Sequence, residues 1–143
     1  MAPVADLGFR SHNGGCLCGA VRFRVSAEPV GTRYCWCRAC QHIAAGNASV
    51  NVVVPTDALS IEGQPSVYES IADSGNLMRR SFCPTCGSHL FSQSSGRPHL
   101  TVVRAGGFDD PDVANPGAAI WVDSAPSWAC IAEDMQTFPA QPT

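Results

Sequence analysis

The sequence predicts a single domain that is mainly β, on three observations. The chain has 143 residues, enough for one domain with its own core. Short period-two segments recur between clusters of Gly, Pro, Asn, Asp and Ser. Helical periodicity is confined to two brief stretches. Many short strands punctuated by 13 Gly and 11 Pro indicate an all-β or β-dominated domain.

Residues 1–12 read as an N-terminal extension and residues 13–138 as the domain. The start, from Met1 to Asp6, carries neither a basic region nor an apolar core, so no secretory signal is expected. Residues 20–25 form the first strand: Val21, Phe23 and Val25 alternate with Arg22 and Arg24, which leaves one face wet. Residues 50–54, 59–62, 66–70 and 77–82 read as further strands, followed by 89–92, 99–104 and 119–122. The separators include Pro55-Thr56-Asp57, Asp73-Ser74-Gly75-Asn76 and Ser94-Ser95-Gly96-Arg97-Pro98, all rich in turn formers. A helical turn or two is expected within 38–45, and a short helix over 127–135 with Ser127 or a neighbour as cap. Residues 139–143 read as a loose tail.

Composition narrows the function classes. Charged residues are 15%, against a typical ~25%, with a net charge of −3 and a pI of about 5.7. All nine basic residues are arginine, which excludes a Schiff-base lysine and a Walker A phosphate loop. A mildly acidic chain without a basic run is a poor nucleic-acid binder. No run approaches the ~20 apolar residues of a membrane span. A soluble, cytoplasmic protein is expected, in a compartment where thiols stay reduced. Its eight cysteines are too many to be idle there, and metal binding is the better expectation than disulfides.

Seven of the eight fall into three clusters: Cys16-Leu17-Cys18, Cys35-Trp36-Cys37-Arg38-Ala39-Cys40, and Cys83-Pro84-Thr85-Cys86 followed by Gly87. The third is a zinc-knuckle signature, in which a C-x-x-C turn aims two sulfurs at one ion and the glycine takes the positive φ that closes the turn. Cys16 and Cys18 supply two more thiolates, and four make a closed structural site joining distant parts of the chain. Cys35, Cys37 and Cys40 then remain. Three protein ligands leave a fourth position for water or substrate, the mark of a catalytic zinc. Two other partitions stay open: Cys35 and Cys37 joining Cys16 and Cys18, with Cys40 completing the knuckle, or a middle site closed by a histidine or Cys130.

Other polar residues are candidates for a pocket. Arg79 and Arg80 could clamp a substrate carboxylate, but neighbours on a strand face opposite ways, so at most one serves the site. His42, two residues after Cys40, could shuttle a proton or complete the metal. Asn47, Ser49 and Asn51 would share a strand face and line the pocket. Trp36 is expected to shield the metal or cap the sheet. His12, His89 and His99 read as structural, and Cys130 as a small buried apolar residue.

The pattern C-x-C, then C-x-C-x-x-C, then S-F-C-x-x-C-G resembles the family of glutathione-dependent formaldehyde-activating enzymes, which also includes a centromere protein's domain. The flanks match it too: Gly15-Cys16-Leu17-Cys18-Gly19-Ala20-Val21, Arg80-Ser81-Phe82-Cys83-Pro84-Thr85-Cys86-Gly87-Ser88, and Ile120-Trp121-Val122 with Ser127-Trp128 near the end. The resemblance spans about residues 13–140. It implies stacked antiparallel sheets stapled by zinc, a β-tent similar to a guanine-nucleotide-exchange chaperone fold. It implies about two zinc ions, one structural on Cys16, Cys18, Cys83 and Cys86, and one catalytic on Cys35, Cys37 and Cys40. The implied activity is a carbon–sulfur lyase run backwards, joining formaldehyde to glutathione as S-hydroxymethylglutathione. The implied partners are a small thiol and an aldehyde, with neither nucleic acid nor membrane; a homo-oligomer stays open. Many family members carry His and Arg where this chain has Trp36 and Gln41. A non-catalytic zinc-stapled binding module, or different small-molecule chemistry on the scaffold, are the alternative readings.

Overall fold

The computed structural model describes residues 11–142; the start read as lacking a signal, and most of the expected 1–12 extension, lie outside the described residues. Along the chain run β1 (His12–Gly15), β2 (Arg22–Val25), β3 (Gly31–Cys35), α1 (Arg38–Ile43), β4 (Ser49–Pro55), β5 (Leu59–Glu62), β6 (Ser66–Ile71), β7 (Leu77–Phe82), β8 (His89–Ser94), β9 (Leu100–Arg104), β10 (Ala118–Ile120) and β11 (Gln136–Thr137). The protein is mainly β. β1, β2 and β5 form a three-stranded antiparallel sheet, and the other eight strands form a second in the order β11-β10-β3-β4-β9-β8-β7-β6. Among the described residues, no helix is long and apolar enough to cross a membrane.

Alternation sorts the side chains. Val52 and Val54 of β4, Phe91 of β8 and Val103 of β9 turn one face of the large sheet toward Phe23 and Val25 of β2. Phe23 sits edge-on between Phe91 and Phe108, with ring centroids 5.5 and 5.2 Å apart. Truncating such a ring costs roughly 3–5 kcal/mol. The β1 backbone lies so close that a Cβ on Gly14 would meet the Gly107 carbonyl oxygen at 2.2 Å and the Phe23 ring at 2.4 Å. The opposite face of the large sheet carries, by register, Arg33 and Cys35 of β3, Ser49 and Asn51 of β4, Arg104 of β9, Ser92 of β8 and Arg80 of β7. That face carries four of the six buried polar residues described, Ser49, Asn51, Ser92 and Arg104.

The structure departs from the expected elements toward the C-terminal end of the chain. β10 pairs with both β3 and β11 in parallel, a departure from the antiparallel rule elsewhere. It also stops at Ile120, because Trp121 adopts φ 59° and turns the chain out of the strand. Residues 127–135 are turns and irregular chain rather than a helix: Ala129, Ile131 and Met135 pack against the cluster around Trp36 and Ala119, and this tertiary packing overrides a weak local preference. Within that segment Cys130 is exposed, not the buried residue expected. The segment read as a loose tail hydrogen-bonds back: Ala140 and Pro139 carbonyls accept from the Trp121 and Asp123 amides, and Gln141 accepts from the Trp121 indole.

Candidate metal centres

The first centre forms where the two sheets meet. Cys16 and Cys18 leave β1 in a tight turn, and Cys83 and Cys86 follow β7. Their four sulfurs lie within 4.8 Å of one another, with Cys16–Cys18 at 3.7 Å and Cys18–Cys83 at 3.8 Å. These separations are far too long for disulfides. They match the edge of a tetrahedron of Zn–S bonds of ≈ 2.3 Å, about 3.8 Å, so the residues fit the ion. Gly87 has φ +78°, as the knuckle signature requires. Backbone amides supply much of the compensating charge: the Val21 amide lies 3.3 Å from the Cys16 sulfur, and Thr85 and Cys86 donate to Cys83. The Val21 amide, the largest influence, holds the Cys16 thiol below its ordinary pKa against burial. Ser88 does the same for Cys86, to about 5.

The second centre is assembled locally. Cys35 ends β3, Cys37 caps α1, and Cys40 lies in its first turn, its amide donating to the Cys37 sulfur at 3.4 Å. The three sulfurs again lie within 4.8 Å of one another, and no fourth His, Cys, Asp or Glu joins them among the described residues. Thus the structure keeps Cys40 away from the knuckle and leaves Cys130 and every histidine outside both groups. Ile120, Trp121 and Phe138 pack around the trio. Hydrogen bonds from the Cys37 and Cys40 thiols, with burial, push Cys35 upward. Hydrogen bonds with Cys35 and Cys37, aided by the charge of Arg104, pull Cys40 down against burial. The three sulfurs share their protons and act as one titrating set. The donor set suits a soft cation such as zinc.

Under this centre lies a buried polar cluster that sequence reading only partly finds. Ser49 pairs with Cys35 across β3–β4, and Asn51 pairs with Arg104 across β4–β9. Arg104 is 8% exposed; its Nη1 donates to Asn51 Oδ1 at 2.5 Å and lies 3.5 Å from Ser49 Oγ. Its Nε has no partner. Arg104 escapes the sequence reading, because at the end of an alternating strand an arginine reads as a wet-face residue. A signal is nevertheless present: Arg104 follows Val102 and Val103 in a strand whose Val-rich neighbour, β4, is buried.

The remaining candidates separate cleanly. Arg80 shares the face of Cys35 and Arg104, hydrogen-bonds Ser70 at 2.8 Å and acts electrostatically on Arg104. Arg79 points the other way and pairs with Glu69. Asn47 precedes β4, is exposed, and accepts from the Ala48 amide. His42 is exposed on α1 beside a shallow cleft of about 250 Å³ with Arg38 and Gln41, apart from the sulfurs. Gln41 is structural, since its Nε2 donates to the Trp36 and Ser124 carbonyls and fixes α1 against the 121–125 turn. Trp36 caps the sheet within the separate cluster around Ala48 and Ala119. His89 lies 5.9 Å from the Phe82 ring; burial, with Arg104 and Arg80, pushes its pKa down.

Two comparisons with known proteins point to one family, and a third shows the fold. The family model described as glutathione-dependent formaldehyde-activating enzyme matches residues 11–124. A protein of Halomonas elongata, provisionally named a glutathione-dependent formaldehyde-activating enzyme, is 31% identical over 125 residues, covering 82% of this chain and 79% of its own. A crystal structure of a Rhodobacter sphaeroides protein is similar in fold, with a TM-score of 0.57 at 21% identity, covering 73% of this chain and 96% of that one.

Proposed function

The chain belongs to the glutathione-dependent formaldehyde-activating enzyme family, and on that premise we propose that it joins a small thiol to an aldehyde, or cleaves the adduct, at the Cys35–Cys37–Cys40 centre. The observation that carries this reading is the contrast in ligand number: four sulfurs at one centre and three at the other, with no fourth protein donor among the described residues. Zinc on Cys16, Cys18, Cys83 and Cys86 would be closed and structural; on Cys35, Cys37 and Cys40 it would keep an open position. Bound at the open site, zinc supplies thiol activation, since a coordinated thiol is deprotonated outright.

The reaction is a carbon–sulfur lyase step run in the joining direction. The thiol sulfur forms a bond to the aldehyde carbon, the C=O π bond opens, and the thiol's proton ends on the new hydroxyl. With glutathione and formaldehyde the product is S-hydroxymethylglutathione. Three thiolates make a zinc site a weak Lewis acid, which favours thiol activation over activation of water. The chain's own residues position the reactants. Arg80, on the sheet face of the sulfurs and without a carboxylate partner among the described ion pairs, is placed to take a substrate carboxylate by a forked hydrogen bond. Trp121, Phe138 and Ile120 exclude water from one side of the trio. Seven reduced cysteines held ready for metal suit a cytoplasmic location.

Exchange NMR on glutathione with formaldehyde, with and without the zinc-loaded protein, tests the reading. Faster exchange between free thiol and adduct is expected, and Cys35→Ser should abolish the acceleration. Unchanged exchange with glutathione rejects that thiol; unchanged exchange across a panel of thiols rejects the reaction and leaves a binding module.

A further inference from the structure

We propose that Arg104 is a positioning residue of the three-cysteine centre: its buried guanidinium is the counter-cation of the thiolates and fixes the Cys40 sulfur from beneath. This inference rests on the reading that the centre holds zinc. Four observations carry it. Arg104 is the one charged side chain among the buried polar residues described, at 8% exposure. Its hydrogen-bond partners, Asn51 Oδ1 and Ser49 Oγ, are neutral. None of the carboxylates in the described ion pairs reaches it. Its Nε has no partner at all. An arginine does not lose its proton in a protein, so a buried one needs an anion nearby. The opposite-sign groups that act on it most strongly are the sulfurs of Cys40 and Cys35, whereas Arg80 acts with like sign.

The charge arithmetic agrees. Three thiolates around a divalent ion carry one net negative charge, and one guanidinium cancels it. At the four-cysteine centre the excess is larger, but Cys18 is exposed and backbone amides face the sulfurs, so solvent and peptide dipoles take that part. At the three-cysteine centre Cys35 and Cys40 are buried and one backbone amide reaches Cys37, so a fixed cation carries more of the compensation. Ser49, which faces Cys35 across the ladder, and Asn51 hold the guanidinium in place, as outer-sphere partners commonly orient metal ligands.

The test compares Arg104→Lys with Arg104→Gln in the full, zinc-loaded chain. Both side chains can hydrogen-bond Asn51, and only lysine keeps the charge. Zinc affinity is read by competition with a chelating indicator, with the four-cysteine centre as internal reference. The expected result is a loss of about 10–100-fold at the three-cysteine centre for Gln, a change of only a few-fold for Lys, and no change at the reference centre. Equal affinities for the Lys and Gln variants would overturn the inference and leave the metal reading standing. A single zinc in the wild-type chain overturns both. If Arg104→Gln does not fold, the comparison moves to the Cys40→Ser background, where the cation has lost its main partner. There, adding Arg104→Gln should raise the melting temperature, because an uncompensated buried charge is removed. A further drop contradicts the proposal.

Discussion

The two cysteine centres use the same ligand chemistry in opposite surroundings. The four-cysteine centre joins residue 16 to residue 86 at the junction of two sheets, with one exposed cysteine and with backbone amides facing its sulfurs. The three-cysteine centre draws all its sulfurs from six consecutive residues, stands on a buried arginine and is walled by apolar side chains. On the proposed reading, the difference separates a staple from a workplace. Long-range ligands close a loop whose ordering entropy metal binding offsets. Short-range ligands constrain little of the chain and are free to serve a substrate.

Breaking each centre should therefore have unequal consequences. Cys83→Ser, at a fully buried sulfur, is expected to remove the staple and unfold the domain, since closed structural zinc sites contribute on the order of 10 kcal/mol. Loss of the cooperative melting transition, with both zinc ions released, is the readout. Cys35→Ser comes next: the chain should keep its fold and its four-cysteine metal while losing about one zinc, measured by metal analysis beside circular dichroism. If it unfolds as Cys83→Ser does, the two centres are both structural and the division fails.

Much of this contrast is legible in the sequence. The period-two runs give β2 and β4 to β9 within a few residues, and the C-x-C, C-x-C-x-x-C and C-x-x-C-G spacings give both sulfur sets. What escapes is what tertiary context decides. β1, with sequence His12-Asn13-Gly14-Gly15, has no strand pattern of its own and exists because Gly14 lets it lie on the Phe23 ring. β3, Gly31–Cys35, has no clean alternation, and pairing with β4 creates it. Arg104 looks like any wet-face arginine until β4 and α1 close over it. His42 and Asn47 lie near the sulfurs in sequence but outward in space, because short loops and a six-residue helix turn through large angles per residue.

Two smaller changes sharpen the contrast. Gly87 holds φ +78° with open space around a would-be Cβ. Gly87→Ala should therefore cost backbone strain alone, roughly 1–2 kcal/mol, seen as a lower denaturation midpoint with zinc content intact. The smallest effect is expected at Asp109, paired with Arg22 at 2.5 Å near the staple, both side chains about half exposed. Arg22, by hydrogen bond and charge, holds the Asp109 carboxyl below its ordinary range. Its folded pKa is lowered, so its contribution is present above the ordinary carboxylate range and lost as pH falls through the folded value. Asp109→Asn should lower the melting temperature slightly at neutral pH and not at all in strong acid. A large effect would mean that the staple's surroundings depend on surface charge.

Cobalt substitution tests the central division most directly, because sulfur-to-metal absorption reports ligand exchange at each centre. The protein is loaded with two cobalt ions, titrated with glutathione, and compared with Cys35→Ser. The expected result is that one centre's absorption shifts as thiol enters while the other's stays constant, and that Cys35→Ser loses only the responsive component. Two bands that both ignore added thiols, or a chain that takes up only one ion, would contradict the division into a closed staple and an open site.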